Sequence, residues 1–273
     1  CRHCRAEARP WRDPFELSTE EGFRLIEQVR EFGKPLFVIT GGDPLKRPDL
    51  FDLIRHADGL GLRTALTPSG TRWMTEENIQ KMQDAGLARL AVSLDGHTPE
   101  IHDAFRGVAG SFDWTVAAIR TARRIGLPVQ INTTVTRHNA SDVRAIAEFL
   151  AGLDICLWSV FFLVPTGRGK RHEMISADGH EEAFHLLYDL SKEMPYDIKT
   201  TAAQHYRRVV MQRRAAEAAA GPAPQDRDME PGGWSAPPAF LTGRSAAQAD
   251  ASSGVGRAAK GVNDGNGFVF ISH

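Results

Sequence analysis

Short apolar runs alternate along this chain with stretches of helical periodicity, and that alternation restricts the fold more than any other feature. Pro35-Leu36-Phe37-Val38-Ile39-Thr40 ends at Gly41-Gly42-Asp43-Pro44, and residues 62–67 end at Pro68-Ser69-Gly70. Residues 90–94, 129–135 and 157–164 follow, and a more polar run at 196–200 makes six. A run apolar at consecutive positions between turn residues reads as a strand covered on both faces. Ahead of the first run, Ser18 and Glu21 have capping-box spacing, and Leu25, Val29 and Phe32 recur at helical intervals before Gly33. Further helices are expected at 50–60, 75–85, 112–125, 141–150, 180–192 and 202–220. Strands and helices alternating at this spacing build parallel βα units. Right-handed crossovers wind such units into a closed or open barrel with its functional groups at the C-terminal ends of the strands. The expected fold class is therefore α/β: a partial (β/α)6 TIM-like barrel lacking its first strand, then a linker and the start of a truncated C-terminal module.

The linker is expected over 221–260, where Ala, Gly, Pro and Ser dominate and too little apolar surface exists to offset ordering entropy. Residues 261–273 hold a turn, Asn263-Asp264-Gly265-Asn266-Gly267, feeding a strand for which the sequence offers no partner. The expected partition is thus 1–220 for the barrel core, 221–260 for the linker and 261–273 for the opening of a further module. With 33 basic and 34 acidic residues in 273, no global field favours nucleic acid or an anionic surface. No apolar run reaches the length of a membrane span. Three cysteines are too few for a disulfide framework. The first residue is Cys1, with no signal peptide ahead of it, and a fragment is expected rather than a processed lipoprotein.

Cys1 and Cys4 form a Cys-x-x-Cys pair, which by itself leaves zinc, a redox dithiol and iron–sulfur ligation open. A zinc ribbon needs a second pair, and the remaining thiol, Cys156, opens an apolar strand where a packed, unreactive thiol is expected. The placement of the pair says more. It lies just ahead of the βα repeats and so faces the same barrel mouth as Gly41-Gly42-Asp43-Pro44, Ser69-Gly70, Ser93-Leu94-Asp95-Gly96 and Asn132-Thr133-Thr134. Turns alone favour such residues, but several of them opening toward two thiols suit a cofactor rich in polar groups. Other apparent motifs fail on spacing. His180 and His185 are five residues apart and point roughly 140° from each other on a helix. Thr166-Gly167-Arg168-Gly169-Lys170 lacks the earlier glycine and hydroxyl of a P-loop and reads as a solvated basic turn, with cations facing an anionic substrate as the alternative. The arginines of 206–214 are expected to form a solvated helix face.

These motifs, in this order, resemble the radical S-adenosylmethionine superfamily, in the branch that carries a C-terminal SPASM or SPASM-like module and includes peptide maturases and alternative haem biosynthesis enzymes. Cys1-Arg2-His3-Cys4 is similar to the end of the family's Cys-x-x-x-Cys-x-aromatic-Cys loop, and Gly41-Gly42-Asp43-Pro44 to its Gly-Gly-acid-Pro motif. Ser93-Leu94-Asp95-Gly96, Ile101-His102-Asp103 and Phe105-Arg106-Gly107 match the same branch. The resemblance implies that Cys1 and Cys4 are metal ligands of a [4Fe-4S] cluster whose open iron takes S-adenosyl-L-methionine. It implies a 5′-deoxyadenosyl radical that abstracts hydrogen from a peptide or tetrapyrrole substrate, an electron donor such as flavodoxin or ferredoxin, and a cytoplasmic setting for an oxygen-sensitive cofactor. His3 would pack near the adenine and the backbone of Gly41, Gly42 and Asp43 would meet the amino group. Ser93, Asp95 and Arg106 would address carboxylate or ribose, Asn132 and Thr134 the ribose, and Val164 the adenine through its backbone. No side chain is expected to act as a catalytic acid, base or nucleophile, and neither nucleic acid nor a membrane is an expected partner.

Each assignment has a plainer rival: an exposed His3, Asp43 as a helix cap, Asp95 as a turn residue, Arg106 in a surface pair, Thr134 packed under a helix. The first motif cysteine, which three residues would separate from Cys1, and the C-terminal module's cysteines are not in the sequence, so the chain is expected to be an inactive piece of an oxidoreductase or maturase-like enzyme. Two other classes remain as alternatives: a metal-free aldolase-like barrel, with Lys46 or Lys170 as its reactive amine, and a non-catalytic partner-binding domain.

Overall fold

The computed structural model describes residues 1, 3–5, 7–8, 15–220 and 268–271. The capping box forms as expected: Glu21 N–H donates to Ser18 Oγ at 3.2 Å, Ser18 N–H donates to Glu21 Oε2 at 2.8 Å, and α1 runs Thr19–Phe32. Strand β1 (Leu36–Ile39) leads through a 3-10 turn at Pro44–Lys46 into α2 (Leu50–Gly59). β2 (Arg63–Leu66), α3 (Glu76–Asp84) and β3 (Arg89–Ser93) follow, with Thr75 Oγ1 capping α3. Two helices then intervene where the sequence indicated one. Pro99 at the first turn starts α4 (Pro99–Arg106), and Gly107, at φ +71°, ends it before α5 (Ser111–Arg124). The remaining units are β4 (Val129–Val135), α6 (Val143–Ala151), β5 (Leu157–Phe162), α7 (Ala177–Glu193), β6 (Asp197–Thr201) and α8 (Tyr206–Ala220).

All six expected strands are parallel and neighbour one another in chain order, giving a curved half-barrel flanked by helices. A seventh strand, β7 (Phe268–Ile271), corrects one expectation. It is not partnerless: it lies parallel to β1 in register Leu36↔Phe268 to Ile39↔Ile271, on the edge where the sequence left a strand missing. An open edge on β1 presents a row of unpaired backbone groups, and a parallel strand satisfies them. The expected linker at 221–260 and the turn at 263–267 lie outside the described residues.

The faces of β4 show how the sheet sorts its side chains. Val129, Ile131, Thr133 and Val135 are buried toward the helices, while Gln130, Asn132 and Thr134 are half-buried on the concave face. Register continues this polar row as Ser93, Asn132, Ser159 and Lys199 across four strands. Behind the sheet, Leu90, Val92, Ile131, Trp158 and Val160 pack with Ile54, Ile79, Met82, Ile119, Leu150 and Leu187 in one continuous core. Trp158 Nε1–H donates to Thr133 Oγ1 at 2.8 Å, and that hydroxyl donates to Leu94 O at 2.6 Å. The relay ties three strands together and leaves the buried indole satisfied.

Candidate cofactor site at the mouth of the sheet

The C-terminal strand ends converge on Asp95, whose carboxyl side chain is 1% exposed. Its Oδ1 accepts from Thr134 N–H at 2.8 Å and its Oδ2 from Arg106 Nη1–H at 3.3 Å. Its own N–H donates to His102 Nδ1 at 3.0 Å, and its carbonyl accepts from Asn139 Nδ2–H at 2.9 Å. Asn139 also donates to Thr134 O at 3.0 Å, so one buried amide holds the ends of β3 and β4 together. The second arm of Arg106 reaches Ser69 O at 3.3 Å and brings in the end of β2. Burial holds the His102 pKa down at about 4, which keeps the ring neutral and its Nδ1 available as an acceptor.

Asp43 performs a parallel task one unit earlier. It caps the 3-10 turn through Leu45 N–H at 3.3 Å, as the plainer reading expected, and accepts from Thr71 Oγ1–H at 2.9 Å. Ser69 Oγ–H donates to Gly42 O, joining the ends of β1 and β2. Gly41 has φ +149°, and a side-chain carbon on Gly42 would meet Ala8 Cβ at 3.3 Å. Gly42 thus lies against Ala8, in the segment that follows Cys4.

That loop is fixed from the other side by the turn after β5. Arg168 N–H donates to Cys4 O at 3.0 Å, and Gly167 (φ +58°) comes so close that a Cβ there would stand 2.6 Å from the same carbonyl. Ala8 N–H points at Cys4 Sγ from 3.5 Å. His3 stacks at a tilt on Phe105, with ring centroids 4.5 Å apart, and burial lowers its pKa. Among the described residues its buried Nδ1 has no hydrogen-bond partner. His3 and Phe105 line a cavity of about 160 Å³ with Ile101, Thr136, His138 and Glu173.

The other sequence-selected residues take graded positions. Ser93 and Asn132 sit side by side on the concave face, with Asn132 Oδ1 accepting from Gln130 Nε2–H at 2.7 Å. Gln130 is itself held by Arg89 Nη1–H at 3.2 Å, an alignment that turns the Asn132 amide N–H groups away from Gln130. Val164 stands exposed just beyond β5, its carbonyl accepting from Thr166 N–H at 2.8 Å. Cys156 is at the opposite end of the sheet, donating to Val129 O at 3.1 Å, with burial pushing its thiol pKa up. His180 bonds Ser176 O and His185 contacts Arg213, so these histidines share no site. Among the described residues no three His, Cys, Asp or Glu side chains gather around a metal position. His102, Asn139, Gln130 and Arg168 carry roles that the sequence reading left unassigned.

Residues 1–150 match the Radical SAM superfamily. That extent decides the matter. The chain belongs to the radical SAM superfamily. Among its relatives, the AdoMet-dependent heme synthase of Oleidesulfovibrio alaskensis is 42% identical over 219 residues, 80% of this chain and 56% of that protein. The protein of the same name from Methanosarcina barkeri is 39% identical over 217 residues, 80% of this chain and 62% of that one. The chain therefore spans about three-fifths of these curated relatives. The Streptococcus suis SuiB structure bound to precursor peptide SuiA shares the fold at a TM-score of 0.65 and 16% identity, covering 78% of this chain and 48% of SuiB.

Radical SAM proteins bind a [4Fe-4S] cluster and S-adenosylmethionine. The mouth fits such a pair in its chemistry: soft sulfur ligands with an N–H aimed at one of them, two close-approach glycines, and an orphaned ring nitrogen beside a cavity. Cys1 and Cys4 supply two thiolates, and the third cysteine of the chain is at the far end of the sheet.

Proposed function

We propose that this chain is the cofactor-binding portion of a radical SAM enzyme acting on a tetrapyrrole. The observation that carries the reading is the seat of the cysteine segment over the strand ends: Arg168 N–H holds Cys4 O, and Ala8, whose N–H points at Cys4 Sγ, lies against Gly42. Cys1 and Cys4 would help to hold the cluster, which when bound would supply the electron for reductive cleavage of S-adenosylmethionine. The protein's task is to hold that molecule still and dry.

The backbone of Gly41, Gly42 and Asp43 receives the amino group, since glycine permits close approach. Asp95 and Arg106 shape the site for carboxylate and ribose, and do so partly by fixing the Thr134 backbone. Ser93 and the amide N–H groups of Asn132 would address the ribose, His3 would pack against the adenine, and Val164 would offer it backbone. The tetrapyrrole is favoured over a peptide because the relatives at 42% and 39% identity are named for haem synthesis, whereas the peptide-bound SuiB, at 16%, shares only the fold. A small electron-transfer protein such as flavodoxin or ferredoxin is the proposed reductant. The cytoplasm is the proposed location, and no helix among the described residues is long and apolar enough to cross a membrane.

The test is electron paramagnetic resonance of the chain after anaerobic reconstitution with iron and sulfide and reduction by dithionite. Added S-adenosylmethionine is expected to shift the cluster signal, and Cys4→Ser to remove the signal altogether. A wild-type spectrum indifferent to S-adenosylmethionine overturns the reading.

A further inference from the structure

The loops after β4 and β5 carry an unusual excess of positive charge for a chain whose formal net charge is -1. Arg137, Arg168, Lys170 and Arg171 are all exposed there, against two acids: Glu173, which is mostly covered, and Asp142, which faces His97. Among the described residues none of these four cations forms an ion pair. Elsewhere on the surface arginines do find carboxylates: Arg123 with Asp154, Arg144 with Glu193, Arg213 with Asp189. A merely solvated turn needs no scaffold, yet this one is built. Arg137 N–H donates to Glu173 O at 2.9 Å and its Nη1–H to His172 O at 3.3 Å, which stitches the two loops together.

Between them lies a groove of about 480 Å³, lined by Arg137 and Arg171 on a floor of Pro165, Met174 and Ile175. Guanidinium groups over an apolar floor match a ligand that is flat and apolar in its body and carries carboxylates at its edge. The groove adjoins the His3 cavity, because the 136–138 and 173–174 segments contribute side chains to both.

Resting on the tetrapyrrole reading above, we infer that Arg137 and Arg171, with Arg168 and Lys170 at the rim, bind the peripheral carboxylates of that substrate and turn its edge toward the His3 cavity. The probe is coproporphyrin III, a tetracarboxylic porphyrin, titrated against the whole chain by absorbance, with its tetramethyl ester as the uncharged counterpart. Arg137→Gln and Arg171→Gln are each expected to weaken binding of the acid about three- to tenfold. Added salt is expected to weaken the wild type, because these contacts are solvent-exposed. Arg55→Gln, an equal charge change on α2, is expected to leave binding unchanged.

Equal binding of acid and ester, wild-type affinity in both groove variants, or equal weakening by Arg55→Gln overturns the assignment. So does a glutamate-rich peptide that displaces the porphyrin at matching concentration. S-adenosylmethionine binding by the same proteins separates the two claims. If it persists while the groove variants hold the porphyrin normally, the rim assignment alone fails; if the wild type binds neither compound, the underlying function fails.

Discussion

Asp95 commits all its polar groups to the protein: both carboxylate oxygens, its N–H and its carbonyl have partners on three other segments. A carboxylate this buried is tolerated because Arg106 faces it, and removing one partner leaves the other charged and stranded. Asp95→Asn is expected to cost about 3–5 kcal/mol, read by urea denaturation; a loss under about 1 kcal/mol, the size of a surface pair, would show the pair to be dispensable. His102 yields a prediction of pH dependence. Its pKa falls from 6.5 to about 4 on folding, so the unfolded chain takes up more protons between those values. The contribution of His102 to stability is therefore complete above pH 6.5, declines as pH falls toward 4, and declines no further below that. His102→Gln is expected to flatten the slope of stability against pH across that window, and an unchanged slope would assign the dependence to another group. Asp95 and Arg106 were legible because they fall in sequence motifs. Asn139 was not, since its partner Asp95 is 44 residues away and a buried asparagine has no pattern to announce it.

Among the elements, those read correctly from the sequence carry their own local signals. Ser18 and Glu21 bracket α1, Thr75 starts α3, and β1 to β5 show as short segments rich in apolar residues, continuous in β1 and alternating in β4. α4 was missed because it spans eight residues and buries only His102, Phe105 and Arg106, two of them polar. The start of α5 was equally hidden: its capping acid is Asp103, which takes Gly110 N–H, Ser111 Oγ–H and Phe112 N–H from within the preceding helix. Burial alone would raise the Asp103 pKa, but those three hydrogen bonds outweigh it and hold it below the ordinary carboxylate value. The turn after β5 was read as solvated, whereas its backbone docks on the cysteine loop through Arg168 N–H. Gly167 makes that docking possible, having both a left-handed φ of +58° and no room for a side chain against Cys4 O. Gly167→Ala should cost about 1–3 kcal/mol locally and loosen the loop before it unfolds the core. The expected sign is faster maleimide labelling of Cys4 with labelling of Cys156 unchanged; equal acceleration of both would indicate global destabilisation instead.

At the scale of the whole molecule, a parallel sheet sorts chemistry by end. Every strand enters from one side and leaves on the other, so residues distant in sequence meet at the mouth if each follows a strand, and residues that precede strands cannot reach it. This is why the mouth could be assembled from the sequence, with Cys4, Gly42, Ser69, Asp95 and Thr134 drawn from successive units. The same logic could not place β7, because a parallel neighbour joined by a long connection leaves no local mark, unlike a hairpin. Sorting by end also makes the three thiols unequal. Cys1 and Cys4 stand at the mouth, while Cys156 precedes β5 and points its Sγ–H at Val129 O, with burial raising its pKa. Iron uptake on anaerobic reconstitution should therefore vanish in Cys1→Ser and Cys4→Ser and survive in Cys156→Ser. Because two thiolates stand where a site-differentiated cluster takes three, the wild-type chain should hold less than one full cluster per molecule and lose it to a chelator within minutes to hours. A stable, full complement of iron, or uptake that depends on Cys156, would mean that the ligands are not arranged by strand end as the sheet requires.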